Sequence, residues 1–179
     1  MENSLEKALS TDCGMFGLWD YNNYKDIISY DDWEEVFLED QDIIQEIKTN
    51  RFVPIYLHSD GCFQFKVKIN ESLTEREEKY VLDKSEKYLF CTDGNAYISG
   101  IEFISDTVKE NEGIKLDLEK GYYKVTVYLI EWDKEPGAKL DDGEISTDAL
   151  PDFIIKLVKT DEINQEYRTK LDTFDKMYM

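Results

Sequence analysis

From Phe52 to Val158 the chain consists of short runs in which apolar and polar residues alternate, separated by residues that form turns. The run from Phe63 to Ile69 is the clearest, because its odd-numbered residues are apolar while Gln64, Lys66 and Lys68 are polar. This period of two is typical of a strand with one buried face. Strands and helices do not alternate in this region. The sequence therefore favours an antiparallel sheet and leaves no place for a Rossmann-type nucleotide site.

Turn residues divide this region into pairs of predicted strands. We predict a β-hairpin at each of three turns: Phe52–Leu57 with Phe63–Ile69, Tyr88–Cys91 with Ala96–Ile104, and Ile114–Leu118 with Tyr122–Trp132. Because Pro54 has no N–H group to donate, it places the first of these strands at the edge of a sheet or gives the strand an irregular start. Two more apolar runs predict strands at Cys13–Trp19, whose two glycines suggest close backbone approach or a bulge, and at Phe153–Val158.

Two segments have the period of an amphipathic helix. In the first, residues 31 to 49, apolar residues recur at helical spacing after Asp31, which can cap the helix. In the second, the tail from Asp161 to Met179, apolar residues recur every three or four positions. We therefore predict a single α+β, mainly β domain spanning 1–179. It is an antiparallel β-sandwich or barrel of about seven to eight strands, with one helix in its N-terminal half and a C-terminal helical tail.

The charge of the chain restricts its partners. The 21 basic residues are opposed by 40 acidic residues, which gives a net charge of -19. Such a charge repels nucleic acid and anionic membranes and attracts basic proteins. The sequence begins without a basic and then apolar leader, and it has no apolar run long enough to span a membrane. We expect a cytoplasmic protein that binds a basic protein and neither nucleic acid nor membrane, with a homo-oligomer still open.

The acidic residues are most concentrated on the predicted helix. Between residues 26 and 46 there are nine carboxylates and no basic residue. On a continuous helix, spacings of three and four place five of them on one face: Asp32, Glu35, Glu39, Asp42 and Glu46. Like charges at these spacings destabilise a helix slightly. We interpret the five as a binding face for a basic protein, although a solvated outer face would have the same pattern.

We find no catalytic or metal-binding motif. His58-Ser59-Asp60 contains the residue types of a catalytic triad, but neighbours in a turn point apart and do not converge. The loop 141–144 is acidic and lacks the ligand spacing of a calcium loop. Cys13, Cys62 and Cys91 are too far apart in sequence for a zinc motif, and we expect them to be reduced and buried. We therefore expect no catalytic residues, no metal and no cofactor.

The segment from Phe52 to Trp132 resembles the bacterial nuclease inhibitors of the competence system and, more loosely, immunity proteins encoded beside polymorphic toxins. The features behind this resemblance are a hairpin, the turn Cys91-Thr92-Asp93-Gly94, the strand Ala96–Ile104 and the stretch Leu116–Val125. The resemblance implies a β-sandwich that blocks a nuclease or toxin by binding it, without chemistry of its own. The matching positions are structural, so no inhibitory residue is carried over.

The sequence leaves three functions open. We favour a non-catalytic protein-binding module, such as an immunity protein or inhibitor that neutralises a basic toxin or nuclease through an acidic surface. The first alternative is a hydrolase that uses carboxylates converging in a cleft of the sandwich. The second is a structural or assembly subunit, which would bury an apolar face in a homo-oligomer.

Overall fold

The computed structural model describes residues 5–178, which form ten strands, four short α-helices and two 3-10 turns. The strands are β1 (Leu5–Thr11), β2 (Met15–Asp20), β3 (Phe52–Tyr56), β4 (Gly61–Ile69), β5 (Val81–Lys84), β6 (Tyr88–Thr92), β7 (Ala96–Gly100), β8 (Gly113–Leu116), β9 (Gly121–Ile130) and β10 (Phe153–Thr160). The helices are α1 (Tyr21–Tyr24), α2 (Tyr30–Phe37), α3 (Asp40–Lys48) and α4 (Glu75–Lys79).

The strands form two sheets that face each other. One sheet has the order β1-β4-β10-β9, with β5 and β6 both paired to the far side of β9, and the other has the order β3-β2-β7-β8. All pairs are antiparallel except β4 with β10. Phe16 of one sheet packs against Phe65 of the other, with ring centroids 4.8 Å apart. The predicted mainly β, α+β sandwich is confirmed, and the barrel alternative is excluded because the sheets do not close on each other.

The three predicted hairpins are wrong, although strands lie at all six positions. In each pair, β3 and β4, β6 and β7, and β8 and β9, the two strands belong to opposite sheets. Each turn therefore carries the chain across the core to the facing sheet. The period of two could not reveal this, because it specifies which face of a strand is buried, and the inner faces of both sheets bury the same core.

One of these crossings is held by the buried carboxylate of Asp20. The side chain is 1% exposed, and its Oδ2 accepts hydrogen bonds from the hydroxyl of Thr92 and from the N–H groups of Asp93 (2.8 Å) and Asn95 (3.3 Å). Its Oδ1 accepts from the N–H of Asn22 at 2.8 Å and so caps α1. A single side chain at the end of β2 thus fixes both the following helix and the turn between β6 and β7.

Strand β2 is buried on both faces, because α1 to α3 cover the side of its sheet that faces away from the core. Tyr24 of α1 contacts Phe37 of α2, and Phe37 contacts Phe52 of β3, with centroid distances of 5.3 and 5.6 Å. The predicted close backbone approach occurs at Gly14, where a Cβ atom would lie 3.0 Å from the backbone N of Ser59, whereas at Gly17 a Cβ atom would lie 2.0 Å from the ring of Phe52. Pro54 lies on an edge strand, which is one of the two predicted alternatives.

The predicted continuous helix from 31 to 49 is wrong, because the segment forms two helices that separate at Leu38 and Glu39. Glu39 is the N-cap residue of α3, with an extended backbone (φ -99°, ψ 136°). The break puts Asp40 and Asp42 in the first turn of α3, where the helix dipole favours negative charge. In an unbroken helix the same carboxylates would lie mid-helix beside like charges.

The predicted C-terminal helix is also wrong, because residues 161–178 contain no helix. The tail instead bonds to residues distant in sequence. The N–H of Arg168 donates to the carbonyl of Lys87 (2.9 Å), and the hydroxyl of Thr173 donates to the carbonyl of Pro54 (2.8 Å) and accepts from the N–H of Tyr56 (2.9 Å). These bonds cover part of the open edge of β3 and use backbone groups that would otherwise pair with another strand. Apolar spacing alone could not distinguish this arrangement from a helix.

We expect Thr173→Val to lower the free energy of unfolding by about 2 kcal/mol, because it leaves a partly buried N–H and a buried carbonyl of β3 without their partner. The tail should then be cleaved faster in limited proteolysis. Chemical denaturation measures the first effect, and Thr169→Val, at an exposed position of the same segment, is the matched control. Equal behaviour of the two variants would show that Thr173 does not fix the tail.

A second polar cluster lies on the outer face of the six-stranded sheet. Glu77 of α4 is 1% exposed, and its carboxylate contacts the ammonium groups of Lys66 (2.9 Å) and Lys68 (2.7 Å) of β4. It also accepts a hydrogen bond from the N–H of Thr74, the N-cap residue of α4, at 2.7 Å. Burial by itself raises the pKa of Glu77, but these donors outweigh it and lower the pKa from 4.5 to about 2. The ion pairs thus attach α4 to the sheet.

Candidate protein-binding surface

The five carboxylates predicted to form a binding face lie on two helices. Asp32 and Glu35 are in α2, Glu39 lies at the junction, and Asp42 and Glu46 are in α3. Neighbours within each helix remain three or four positions apart, so each pair shares a face of its own helix. The break at residues 38 and 39 removes the fixed alignment between the two pairs that an unbroken helix would give.

Asp32 is engaged at the start of α2. Its Oδ2 accepts hydrogen bonds from the hydroxyl of Ser29 (2.8 Å) and from the N–H groups of Ser29 (2.9 Å) and Ile28 (3.1 Å). The Ser29 hydroxyl in turn accepts from the N–H of Asp32, which completes a capping box. The hydrogen bonds from Ser29 and Ile28 lower the pKa of Asp32. Its carboxylate is therefore ionised, and it positions the helix as well as adding negative charge.

Glu46 is engaged at the other end of the segment. Its Oε2 accepts a hydrogen bond from the hydroxyl of the buried Tyr24 at 2.7 Å and lies 3.4 Å from Nε of Arg51. Burial and the neighbouring Glu46 carboxylate raise the pKa of Tyr24 well above its ordinary value. Glu46 thus joins α3 to α1 and to the start of β3.

The remaining three carboxylates, those of Glu35, Glu39 and Asp42, are exposed. Within residues 5–178 they accept no hydrogen bond and form no ion pair. Asp31 and Asp40 are exposed beside them. We use the term acidic helices for the segment 30–48, in which the exposed Lys48, in the last turn of α3, is the one basic residue.

Exposed apolar residues border the acidic helices, and they were not predicted from the sequence. Ile28 is 75% exposed and Tyr30 is 65% exposed. The ring of Tyr30 stacks on Trp33 at 5.8 Å, and the indole N–H of Trp33 is anchored to the carbonyl of Ile101 at 2.9 Å. Large exposed side chains on a fixed support are typical anchors of protein interfaces. The sequence did contain a signal for their exposure, because Ile28 and Tyr30 fall outside the apolar stripe of the predicted helix.

The other groups considered in the sequence do not assemble into a site. His58 hydrogen-bonds Asp172 through Nε2 at 2.8 Å, while the Ser59 hydroxyl donates to the carbonyl of Asp60, so the three adjacent residues do not form a triad. Among the described residues no group of three or more His, Cys, Asp or Glu side chains could hold a metal ion. No helix in the same range is long and apolar enough to cross a bilayer.

The expectation of buried cysteines is wrong, because none of the three is fully buried. Cys13 lies in the turn between β1 and β2, and Cys62 lies on β4 beside Phe63, with its side chain on the opposite face of the strand. Both are exposed, Cys91 is half-buried, and all three are free thiols. The preference of cysteine for burial is too weak to override the face on which a strand places the side chain.

Comparison with known structures identifies two proteins with this fold. Crocagin biosynthetic gene J is 16% identical, with a TM-score of 0.60 over 89% of this chain and 98% of the other. ComJ from Bacillus subtilis, an inhibitor of the DNA-degrading activity of NucA, is 14% identical, with a TM-score of 0.54 over 89% of this chain and 99% of the other. No protein-family model matches the sequence. No curated protein sequence matches it either. The resemblance to competence nuclease inhibitors thus holds at the level of the fold.

Proposed function

We propose that this chain is a non-catalytic protein-binding module that inhibits a basic nuclease or toxin by covering it with an acidic surface. The observation that carries the proposal is the set of exposed carboxylates on the acidic helices that have no partner within the described chain, on a protein with a net charge of -19. A basic nuclease binds DNA through cationic groups that contact phosphates. Carboxylates displayed on a rigid support can occupy those groups in place of the phosphates.

The five proposed binding residues have different roles in this account. Glu35, Glu39 and Asp42 contact the partner directly, because they are exposed and have no internal partner within the described chain. Asp32 and Glu46 add negative charge at the two ends of the surface while they hold the helices in place. Tyr30 and Ile28 supply apolar contact area beside the charges. Such a combination gives fast association from the charges and slow dissociation from the apolar anchors.

The ComJ fold supports the inhibitor role over the alternatives. ComJ inhibits a DNA-degrading nuclease, and its chain corresponds to this one over almost its whole length. Identity of 14% does not carry over a target or a binding residue. The target of this chain is therefore sought by its chemistry, among basic nucleases and toxins encoded next to its gene.

We expect the chain to inhibit one such nuclease or toxin at equimolar concentration. The variant Glu35→Gln/Glu39→Gln/Asp42→Asn should bind the target about 10- to 100-fold more weakly, since three exposed charge contacts are lost. Affinity is measured by calorimetry or biolayer interferometry, and inhibition by cleavage of a DNA or RNA substrate or by rescue of growth.

The matched control is Asp117→Asn/Asp141→Asn/Glu166→Gln, which removes three negative charges at exposed positions away from the acidic helices. It should keep the affinity within about threefold of the parent chain. Equal losses in the two variants would indicate a general charge effect and refute a defined acidic surface. Failure to inhibit any neighbouring nuclease or toxin would refute the inhibitor role itself.

A further inference from the structure

A cavity of about 240 Å³ opens at one end of the sandwich. Both sheets contribute to its wall, Tyr56 from β3 and Phe63, Leu129 and Phe153 from β4, β9 and β10. Phe63 and Phe153 meet edge to face with centroids 5.8 Å apart, so the floor of the cavity is aromatic and continuous with the core. The volume exceeds that of an engineered apolar cavity of about 150 Å³ that binds benzene.

The tail closes the outer side of this cavity. Residues 172–178 cross the cavity as a strap. One end is fixed by the buried Thr173, which hydrogen-bonds to β3. The other end is fixed by Tyr178, whose hydroxyl donates to Asp83 of β5 at 2.7 Å. The rings of Phe174 and Tyr178 meet edge to face at 5.9 Å within the strap. Aromatic rings thus face the cavity from both sheets and from the strap, an arrangement that suits a flat ring or a cation next to one.

The polar part of the wall lies near His58. The His58 ring stacks on Tyr56 at 3.7 Å and bonds Oδ1 of Asp172 through Nε2 at 2.8 Å. Oδ2 of Asp172 accepts no hydrogen bond from any described residue, so it remains available to a donor. Asp175, by contrast, pairs with Arg168 and Lys170. Lys176 also borders the cavity, but the field of a chain with a net charge of -19 favours a cationic ligand over an anionic one.

We propose that this cavity binds a small arylalkylamine, with its aromatic ring between the two sheets and its ammonium group on Asp172. The volume fits one ring with a short alkyl chain, the rings of the wall match the aromatic body, and the open carboxylate oxygen matches the N–H donors. No residue of the acidic helices lines this cavity, and the proposal does not depend on the proposed inhibitor function.

The test is an NMR titration of tag-free protein, because the chain has only one histidine and its imidazole signals report on the wall of the cavity. The probes are 2-phenylethylamine, 2-phenylethanol and 3-phenylpropionate, which share a ring and differ in charge. We expect a saturable shift of the His58 signals with the amine at a dissociation constant of about 1 mM or below. The alcohol should bind about threefold to fivefold more weakly, and the acid at least about tenfold more weakly.

Two variants and one control distinguish the contribution of the ligand's aromatic ring to binding from that of its ammonium group. Asp172→Asn should bring the amine and the alcohol to equal affinity, while Asp141→Asn, at an exposed position in another loop, should leave their ratio unchanged. Ser59→Trp, which places an indole at the mouth of the cavity, should weaken both ligands at least about tenfold. Absence of a saturable shift with all three probes would overturn the proposal. So would equal binding of amine and acid, or an amine preference that survives Asp172→Asn.

Discussion

Replacing Glu77 with Gln is expected to lower the free energy of unfolding by about 4 kcal/mol. The substitution keeps the shape of the side chain but removes the charge that balances Lys68, a residue that is 4% exposed and whose ammonium group lies 2.7 Å from the carboxylate. Breaking a buried ion pair in this way leaves an uncompensated charge, which typically destabilises a protein by about 3 to 5 kcal/mol. Urea denaturation at pH 7 measures the loss. Glu78→Gln, at the exposed neighbouring position, should change stability by less than about 0.5 kcal/mol.

The ion pairs of Glu77 should also make the stability of the protein depend on pH. The pKa of Glu77 is about 2 in the folded chain against an ordinary value of 4.5, so the folded state favours the ionised form. Its contribution to stability is therefore complete above about pH 4.5 and is lost as the pH falls towards 2. The shift corresponds to about 3 kcal/mol. Between pH 5 and pH 2 the parent chain should lose more stability than Glu77→Gln by about this amount, and parallel curves would contradict the role of the ion pairs.

A double substitution distinguishes the loss of one charge of the Glu77–Lys68 ion pair from the loss of both charges. Glu77→Leu combined with Lys68→Met removes both buried charges and replaces them with apolar side chains of similar volume. We expect the double variant to be more stable than Glu77→Gln by at least about 2 kcal/mol, because no unpaired charge remains at the site of Lys68. A double variant as unstable as the single one would mean that packing, and not charge, determines the loss.

Replacing Asp20 with Ala is expected to lower the free energy of unfolding by about 4 kcal/mol. The carboxylate accepts hydrogen bonds from two N–H groups and one hydroxyl of the turn between β6 and β7, and from the N–H that begins α1. Removing it leaves buried donors without an acceptor, each with a penalty of about 1 to 3 kcal/mol before water enters. The turn joins the two sheets, so the loss should be seen by fluorescence and by circular dichroism in one transition.

Asp93→Asn is the control for Asp20. Asp93 belongs to the same turn, but its side chain is exposed and pairs only with the exposed Lys120, at 2.7 Å. Loss of such a surface pair should change stability by no more than about 0.5 kcal/mol. If Asp20→Ala were equally mild, the turn between β6 and β7 would be fixed by the packing of its strands and not by the buried carboxylate.

The sequence predicted where strands lie more accurately than how they pair. The runs that became β4, β9 and β10 were found because alternation with period two is a property of each strand alone. Pairing depends on the free backbone edge nearest to a strand, and here that edge often belongs to a segment distant in sequence. β10, for example, lies between β4 and β9 in the sheet. A turn such as Asp93-Gly94-Asn95 marks a chain reversal in either case.

The helical segments were mispredicted because apolar spacing says nothing about the backbone hydrogen bonds. In segment 31–49 the carboxylates of residues 40 and 42 are better placed at the start of a new helix than in the middle of an old one. In the tail, Thr173 and Arg168 bond to β3 and to the segment before β6, over distances of about a hundred residues in sequence. Hydrogen bonds between residues so far apart leave no pattern in the local sequence.

Only some features of the candidate surface could be predicted from the sequence. Charge and its concentration between residues 26 and 46 are properties of composition, so they were available at once. The exposure of each carboxylate was not, because the engagement of Glu46 by Tyr24 and Arg51 depends on how α3 packs. The cavity under the strap was not predictable either, since its walls come from segments separated by more than a hundred residues.

If an ordered acidic surface recognises a basic partner, the association rate must depend on salt, and the salt dependence of that rate tests this claim. The rate constant for binding the inhibited nuclease or toxin should fall at least about tenfold between 0.05 and 0.5 M NaCl. Glu35→Gln/Glu39→Gln/Asp42→Asn should associate more slowly and lose most of that dependence, while Asp117→Asn/Asp141→Asn/Glu166→Gln should retain it. An association rate that is independent of salt, or equal salt dependence in the two variants, would contradict the claim.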